Sequence, residues 1–466
     1  MLSLKRNQLE LCILISLFLI SIIPGAKYLG LMVQIFFFFY FFFKKRLVSL
    51  AVLLFSYSCY GTSVSVYSFK IIYALFAGLI LLNIKNVIRF KFNKYFAYLI
   101  TVFIAYELIY GLIVNSYTQF FSFLVDFFTF FTFLGGFILF SSFTLEDCET
   151  LSLRMYLFWI VSSLFCIFFD YGFSSDVDFL GRKTLLIVQG EAASIFYFIL
   201  LYHLFFSKRN ILLRLFLFLI YVIINFRLGT FGSMLIMYFA LLFGILALMK
   251  FVYSKYKALI VSIGVFIILS FTVLVNGLQS TEIGKKSEAL SFKVRNITEL
   301  LSNFSFSDRK KINLIPLSPY VRILEIINIT HSSSPYSLLF GHGWGGFYND
   351  NYYPFENKSV GKILGDADFP LEQRKSHIFT GTHNFGYPYL KYGLMYFVIV
   401  ALYIFYRFKC IRRYKEKRKI FYCAFVVVLA MCSYLGFTFQ TALALGLLFS
   451  AYRNSTMPVR RRCYEH

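Results

Sequence analysis

The sequence predicts an all-α polytopic membrane protein of about 14 transmembrane helices, range 11 to 14, with one large non-cytoplasmic loop between the eleventh and twelfth. Three observations predict it. The 466 residues are 59% apolar and only 15% charged, far from the roughly half-apolar, quarter-charged composition of soluble folds. Apolar runs such as Leu31 to Phe43 recur along the chain, and about 20 such residues make one spanning helix. Basic residues concentrate in alternate connections between these runs, as orientation by cytoplasmic lysine and arginine requires. The same composition excludes a disordered chain, which has too little apolar surface to bury. The formal charge of +24 is absorbed by those short tracts, so no nucleic acid is expected as a partner.

Taken in order, the helix centres fall near Leu17, Phe36, Leu54, Phe76, Phe103, Phe130, Val161, Phe198, Leu217, Tyr238, Phe266, Val398, Val427 and Leu443. The first run comes after Lys5 and Arg6 as a signal peptide would, but it lacks a small-residue cleavage site and continues into a second apolar segment. It reads as a retained helix. The runs from Leu9 to Phe43 and from Ile211 to Tyr253 are too long for one helix each, and they divide at Pro24-Gly25-Ala26-Lys27 and at Arg227-Leu228-Gly229. The basic connections hold Lys5/Arg6, Lys44/Lys45/Arg46, Lys85 to Lys94, Lys208/Arg209, Lys250 to Lys257, Arg407 to Lys419 and Arg453 to Arg462. They put both termini in the cytoplasm. The other short loops carry little beyond Lys27, Lys70, Arg182, Lys183 and Arg227. The connection with Glu146, Asp147 and Glu149 fits this pattern least, although acidic residues count for little in the rule.

The chain divides into N-terminal transmembrane helices over residues 1–277, a polar loop over 278–384, and C-terminal helices with a basic cytoplasmic tail over 385–466. The loop holds Pro316, Pro319, Pro335, Pro354 and Pro370, and its length marks it as functional or as a small folded unit. Within it, Tyr320 to Ile329 has an amphipathic helical pattern, while Gly341-His342-Gly343-Trp344-Gly345-Gly346 reads as a flexible turn-rich segment. None of the eight cysteines falls in the loop, so disulfides are not expected to hold it. His331, His342, His377 and His383 lack metal-ligand spacing, and neither a metal nor another cofactor is expected.

Ionisable groups at membrane depth are costly and tend to face cavities or one another. Here they are Glu107, Asp126, Glu191, Arg227 and Lys391. For Glu107 and Asp126 the plainer reading is a structural partner inside the bundle. Arg227 sits at an outer turn, where snorkelling to the interface is its plainer reading. Arg182, Glu191, Arg322 and Gly381-Thr382-His383-Asn384 share that outer side. Several arginines and a histidine there suit an anionic lipid headgroup, because the guanidinium fork matches phosphate oxygens.

The segment GTHNFGYPYLKYG, Gly381 to Gly393, resembles the His-Asn…Gly signature of the bacterial O-antigen polymerase and ligase superfamily. Arg322 followed by LLFGHGWGGF, Leu338 to Phe347, is similar to that family's Arg…GxG stretch in the same loop. Asn225-Phe226-Arg227-Leu228-Gly229 resembles its outer arginine before a helix, and Arg182…Gly190-Glu191-Ala192-Ala193-Ser194 its earlier arginine and glutamate site. The order of elements matches across about Leu180 to Arg407. The chain departs from the pattern in two places: Leu394-Met395-Tyr396 replaces a further glycine, and the usual Pro-Asn near Glu191 is absent.

The resemblance implies glycosyl transfer at the periplasmic face of a bacterial inner membrane, from an undecaprenyl-diphosphate-linked oligosaccharide to a sugar hydroxyl, without a metal. On this reading His383 is the general base, since a sugar hydroxyl is a poor nucleophile and a neutral imidazole suits pH 7. Arg182, Arg227 and Arg322 hold the diphosphate, whose charge grows as it leaves. Asn384 orients the histidine or binds sugar, and Glu191 belongs to the substrate site. Tyr348, Tyr352, Tyr353 and Phe355 are expected to stack on sugar rings. Membrane lipid and a chain-length regulator are the further expected partners. Three functions stay open: a polymerase joining repeat units, a ligase passing the glycan to lipid A-core, and a flippase moving the lipid-linked unit unchanged. The long loop and the aromatic richness favour the polymerase.

Overall fold

The computed structural model describes residues 2–23, 25–58, 66–85, 94–170, 173–177, 183–185, 211–228, 317–352, 376–380, 386–411 and 437–456. Most of them are helical. The N-terminal part contains α1 (Leu2–Ile22), α2 (Lys27–Phe43), α3 (Leu47–Ser58), α4 (Val66–Leu82), α5 (Lys94–Tyr110), α6 (Ser116–Ser141) and α7 (Leu145–Phe169). After them come the short antiparallel pair β1 (Phe173–Val177) and β2 (Lys183–Leu185), and α8 (Ile211–Leu228). The polar loop supplies α9 (Leu317–Ser332), α10 (Pro335–Phe340), β3 (Tyr348–Asn349) and β4 (Ile378–Phe379). The chain then enters α11 (Gly386–Ile411), and α12 (Phe439–Thr456) is the last described element.

Sequence explains several boundaries. The break between α1 and α2 falls at Gly25, whose φ of +83° is a left-handed conformation that favours glycine. The acidic residues that fitted the charge pattern least belong to a helix start. Thr144 caps α7, its hydroxyl accepting from the Asp147 amide at 3.1 Å while the Asp147 carboxylate accepts from the Thr144 amide at 2.8 Å. Glu146 and Asp147 in that first turn also complement the helix dipole. Arg407, expected to open a basic cytoplasmic loop, lies instead within α11. Its guanidinium stands 4.2 Å from the ring centre of Tyr452 and 4.9 Å from that of Tyr403, with Phe449 and Tyr406 also facing it. Aromatic faces there attract the cation directly.

The core is a bundle with α6 at its centre, packed between α4 and α12. Gly446 permits the approach of α12: a Cβ there would stand 2.7 Å from the Cβ of Phe140. Between apolar helices in lipid, such close van der Waals contact and buried polar bonds replace the hydrophobic drive. Buried polar groups tie the first helices together. The Gln34 amide donates to Ser21 Oγ at 2.6 Å and accepts from Tyr57 Oη at 2.7 Å, linking α1, α2 and α3. Arg154 of α7 donates to Ser49 of α3 at 2.6 Å and pairs with Glu10 of α1 at 3.2 Å.

Between α5 and α6 the chain reverses through one π-helical turn, Gly111–Asn115. The reversal brings the Phe103 and Phe130 rings within 5.3 Å of each other. Among the described residues, Phe120–Ser141, Leu145–Phe169 and Gly386–Ile411 are each long and apolar enough to cross a membrane, consistent with membrane association. The expected centres at Leu17, Phe36, Leu54, Phe76, Phe103, Phe130, Val161, Leu217, Val398 and Leu443 lie inside helices. Those at Phe198, Tyr238, Phe266 and Val427 lie outside the described residues.

Candidate functional site

α9 is longer than the amphipathic stretch that predicts it, and its apolar face is what anchors the loop. Leu324 and Ile329 pack with Tyr348 of β3, Phe379 of β4, and Tyr389 and Leu390 of α11 in a small second core. A bond between Thr330 and Tyr389 hydroxyls, 3.2 Å, reinforces the contact. α10 begins at Pro335 under a Ser334 cap, whose hydroxyl accepts from the Ser337 amide at 3.1 Å, and it stops at Gly341.

The segment after α10 is not the flexible stretch that its glycines suggest. Residues Gly341 to Gly346 are folded into the bundle, and every backbone N–H from His342 to Gly346 donates a hydrogen bond. His342 and Gly343 donate to the carbonyls of Leu390 and Lys391, at 2.7 and 3.0 Å. Trp344 donates to Glu107 of α5 at 2.9 Å and Gly345 to Asp126 of α6 at 2.8 Å. Gly346 donates to the Gly343 carbonyl at 3.0 Å. The carbonyls of His342 and Trp344 accept from the Asn115 amide at 2.7 and 3.0 Å. A buried backbone needs this full pairing, since water is not there to supply it. The Trp344 side chain is fully buried among Phe123, Phe127, Phe130 and Phe131.

α11 accommodates the insertion by breaking. Gly393 has φ +62° and ψ −164°, outside the helical region, which frees the carbonyls of Leu390 and Lys391 for the loop. The two backbones then run so close that a Cβ on Gly341, itself at φ +84°, would lie 2.1 Å from the Lys391 carbonyl oxygen. Lys391, with no exposed surface, reaches Asp126 at 2.8 Å and the Gly346 carbonyl at 2.8 Å. Asp126 also accepts from the Tyr387 hydroxyl at 2.5 Å. Glu107 is fully buried and bonds the loop through Oε2, while its Oε1 has no hydrogen-bond partner among the described residues. Three of the five ionisable groups singled out as costly in a membrane, Glu107, Asp126 and Lys391, thus gather at one point, and Glu107 and Asp126 take the structural role that the plainer reading gives them.

Three histidines among the described residues lie around this assembly. The His342 ring bonds the Ser333 hydroxyl through Nε2 at 2.6 Å; burial, and then the Lys391 charge, push its pKa down to about 4, so it is neutral at pH 7. The His331 ring stacks on Tyr352 with centres 3.6 Å apart. His377 precedes β4, and its Nδ1 lies 2.9 Å from Oδ1 of Asp350, the residue after β3. Sequence reading missed that last pair. Asp350 and His377 carry no mutual spacing signal, and His377 entered only as a failed metal ligand. Among the described residues, no three histidine, cysteine or carboxylate side chains are grouped to hold a metal ion.

Of the sequence-predicted site residues, Arg322 lies on α9 and Arg227 in the last turn of α8, as backbone positions. Arg182, Glu191, His383 and Asn384 lie outside the described residues, as do Tyr353 and Phe355. Tyr348 does not serve as a sugar platform: it is 1% exposed and part of the second core. Its place in the β3–β4 pairing, opposite Phe379, turns it inward. Tyr352 is 44% exposed, and its ring is stacked on His331. Set against family models, curated proteins and solved structures, the chain matches none.

Proposed function

We propose that this protein is a surface-polysaccharide polymerase that joins undecaprenyl-diphosphate-linked repeat units by metal-independent glycosyl transfer at the periplasmic face of the bacterial inner membrane. The observation that carries the reading is the docking of LLFGHGWGGF on YLKYG, through the His342–Leu390 and Gly343–Lys391 backbone bonds. They belong to two of the segments on which the resemblance to O-antigen polymerases and ligases rests, one in the loop and one entering α11, about fifty residues apart in sequence. Their union ties the Arg322-bearing helix, the β3–β4 pair and the start of α11 into one body. In sequence, His383 and Asn384 stand just before that helix.

In this reading the chain has about 14 spans, both termini are cytoplasmic, and residues 278–384 form the periplasmic loop. The arginines Arg182, Arg227 and Arg322 neutralise the leaving diphosphate, which a fixed guanidinium does without reorganisation. A histidine of the segment entering α11 removes the acceptor proton; the sequence motif singles out His383. Asn384 and Glu191 bind the sugars, and a chain-length regulator is the expected protein partner. A specific observation favours transport as second reading: a helix broken at Gly393 beside buried Glu107, Asp126 and Lys391 is an arrangement that transporters also use.

Purified protein with lipid-linked repeat units separates these readings. Polymer forms, EDTA has no effect, Arg322→Ala abolishes extension without loss of protein from the membrane, and Arg322→Lys restores it only partly because lysine lacks the fork. Unpolymerised units moved across a vesicle membrane would establish the flippase instead, and glycan appearing on added lipid A-core would establish the ligase. Full activity of Arg322→Ala and Arg227→Ala would remove the case for a diphosphate site.

A further inference from the structure

We infer that the Asp350–His377 pair is the proton-accepting dyad of the transfer, with His377 the catalytic base and Asp350 the residue that positions it; this rests on the glycosyl-transfer reading above. Asp350 Oδ1 lies 2.9 Å from His377 Nδ1. The Asp350 side chain is 2% exposed and that of His377 48%. A buried carboxylate accepts from Nδ1–H and so fixes the tautomer in which Nε2 is the free acceptor. An aspartate that orients a histidine and then steadies its imidazolium is the working half of a catalytic triad.

The backbone supports the assignment independently. His377 has φ +56°, a left-handed conformation that a residue with a Cβ adopts at a cost, and such strain is retained where the surroundings enforce it. Here β3 and β4 enforce it: Asn349 pairs with Ile378 and Tyr348 with Phe379. The two partners of the dyad therefore flank the same two-residue ladder, one just after β3 and the other just before β4. Tyr348 and Phe379 anchor that ladder in the second core against α9 and α11. Among the described residues, Asp350 on the β3 side and Glu325 of α9 are both close enough to raise the Tyr348 hydroxyl pKa beyond the effect of burial.

The step balances without a further reactant. The acceptor hydroxyl gives its proton to His377 Nε2 as its oxygen bonds to the anomeric carbon of the donor. The bond from that carbon to the diphosphate oxygen breaks, its electron pair leaving with the lipid diphosphate. The Asp350 carboxylate steadies the imidazolium until the proton passes to water. On this inference His377, and not His383, takes the proton.

The test compares polymer formation by wild type, His377→Ala and Asp350→Asn at pH 7.5. Loss of a general base costs roughly 10²- to 10⁴-fold, so His377→Ala should lower kcat by that factor with KM nearly unchanged. Asp350→Asn should lower kcat by a smaller factor, with KM again nearly unchanged. A His377→Ala enzyme with near-normal kcat would overturn the proposal. Histidine nitrogen NMR of resting protein probes the pair without substrate: Asp350→Asn should shift the His377 resonances and leave those of His331 in place. An unchanged His377 signal sinks the dyad even if polymer forms, whereas wild type that makes no polymer sinks the glycosyl-transfer reading and the dyad's role with it.

Discussion

Lys391 and Asp126 meet inside the bundle, and the energetics of their pair depend on the surroundings each would face alone. Removing one partner of a buried ion pair leaves an uncompensated charge and costs about 3–5 kcal/mol, whereas replacing both is close to neutral. Lys391→Met should therefore destabilise strongly, and Lys391→Met with Asp126→Asn should recover much of the loss, since asparagine keeps an acceptor for the Gly345 N–H or the Tyr387 hydroxyl. Thermal unfolding in detergent of the two single variants and the double checks this; strictly additive losses would mean the two charges do not depend on each other. Sequence alone exposes these residues, because an ionisable group in an apolar run is conspicuous. Their pairing is not legible, since 265 positions separate them and no periodicity links the two runs. The same limit hid Asp350 and His377, and it let Tyr348 pass as a surface aromatic when strand pairing turns it into the second core.

At the scale of elements, the GHGWGG segment shows why a glycine-rich stretch misleads. Glycine signals freedom in an isolated chain, but here positive φ at Gly341, Gly343 and Gly345 lets the backbone present successive N–H groups to two carboxylates and two carbonyls. The acceptors come from α5, α6 and the broken start of α11, so no local pattern announces them. Docking should depend on pH through His342. Its folded pKa of about 4 lies below the ordinary value near 6.5, so the undocked state takes up a proton first. Stability is present above about pH 6.5 and is lost as pH falls towards 4, by up to ~3 kcal/mol. Trp344 reports this directly, being fully buried when docked. In a Trp159→Phe background, its emission should shift to the red as pH falls through that window, and His342→Gln should remove the shift. Gly341→Ala should be red-shifted at every pH, because its Cβ would overlap the Lys391 carbonyl oxygen. An acid shift that survives in His342→Gln would transfer the effect to the carboxylates.

For the molecule as a whole, the helical class and most helix positions are legible because a bilayer imposes a length of apolar residues that few other environments demand. Helix partners are not, since apolar residues on neighbouring runs are interchangeable at the level of composition; only close contacts such as Gly446 against Phe140 fix which surfaces meet. α11 offers the sharpest test of how the chain crosses. Its full length, Gly386–Ile411, rises about 39 Å at 1.5 Å per residue. The part beyond the break at Gly393, Leu394 to Ile411, rises about 27 Å, close to the roughly 30 Å hydrocarbon core. A single crossing by that part would leave the break, with Lys391 and the docked loop, near one surface and Arg407 among its aromatic partners near the other. Asn303 and Tyr414 flank this crossing. Fusions of alkaline phosphatase, active outside the cytoplasm, and of a fluorescent protein that matures inside it should therefore give opposite results at the two positions, with phosphatase active at Asn303. The same answer at both would mean that α11 does not cross alone between them, and the large loop would then lie on the side of the basic connections.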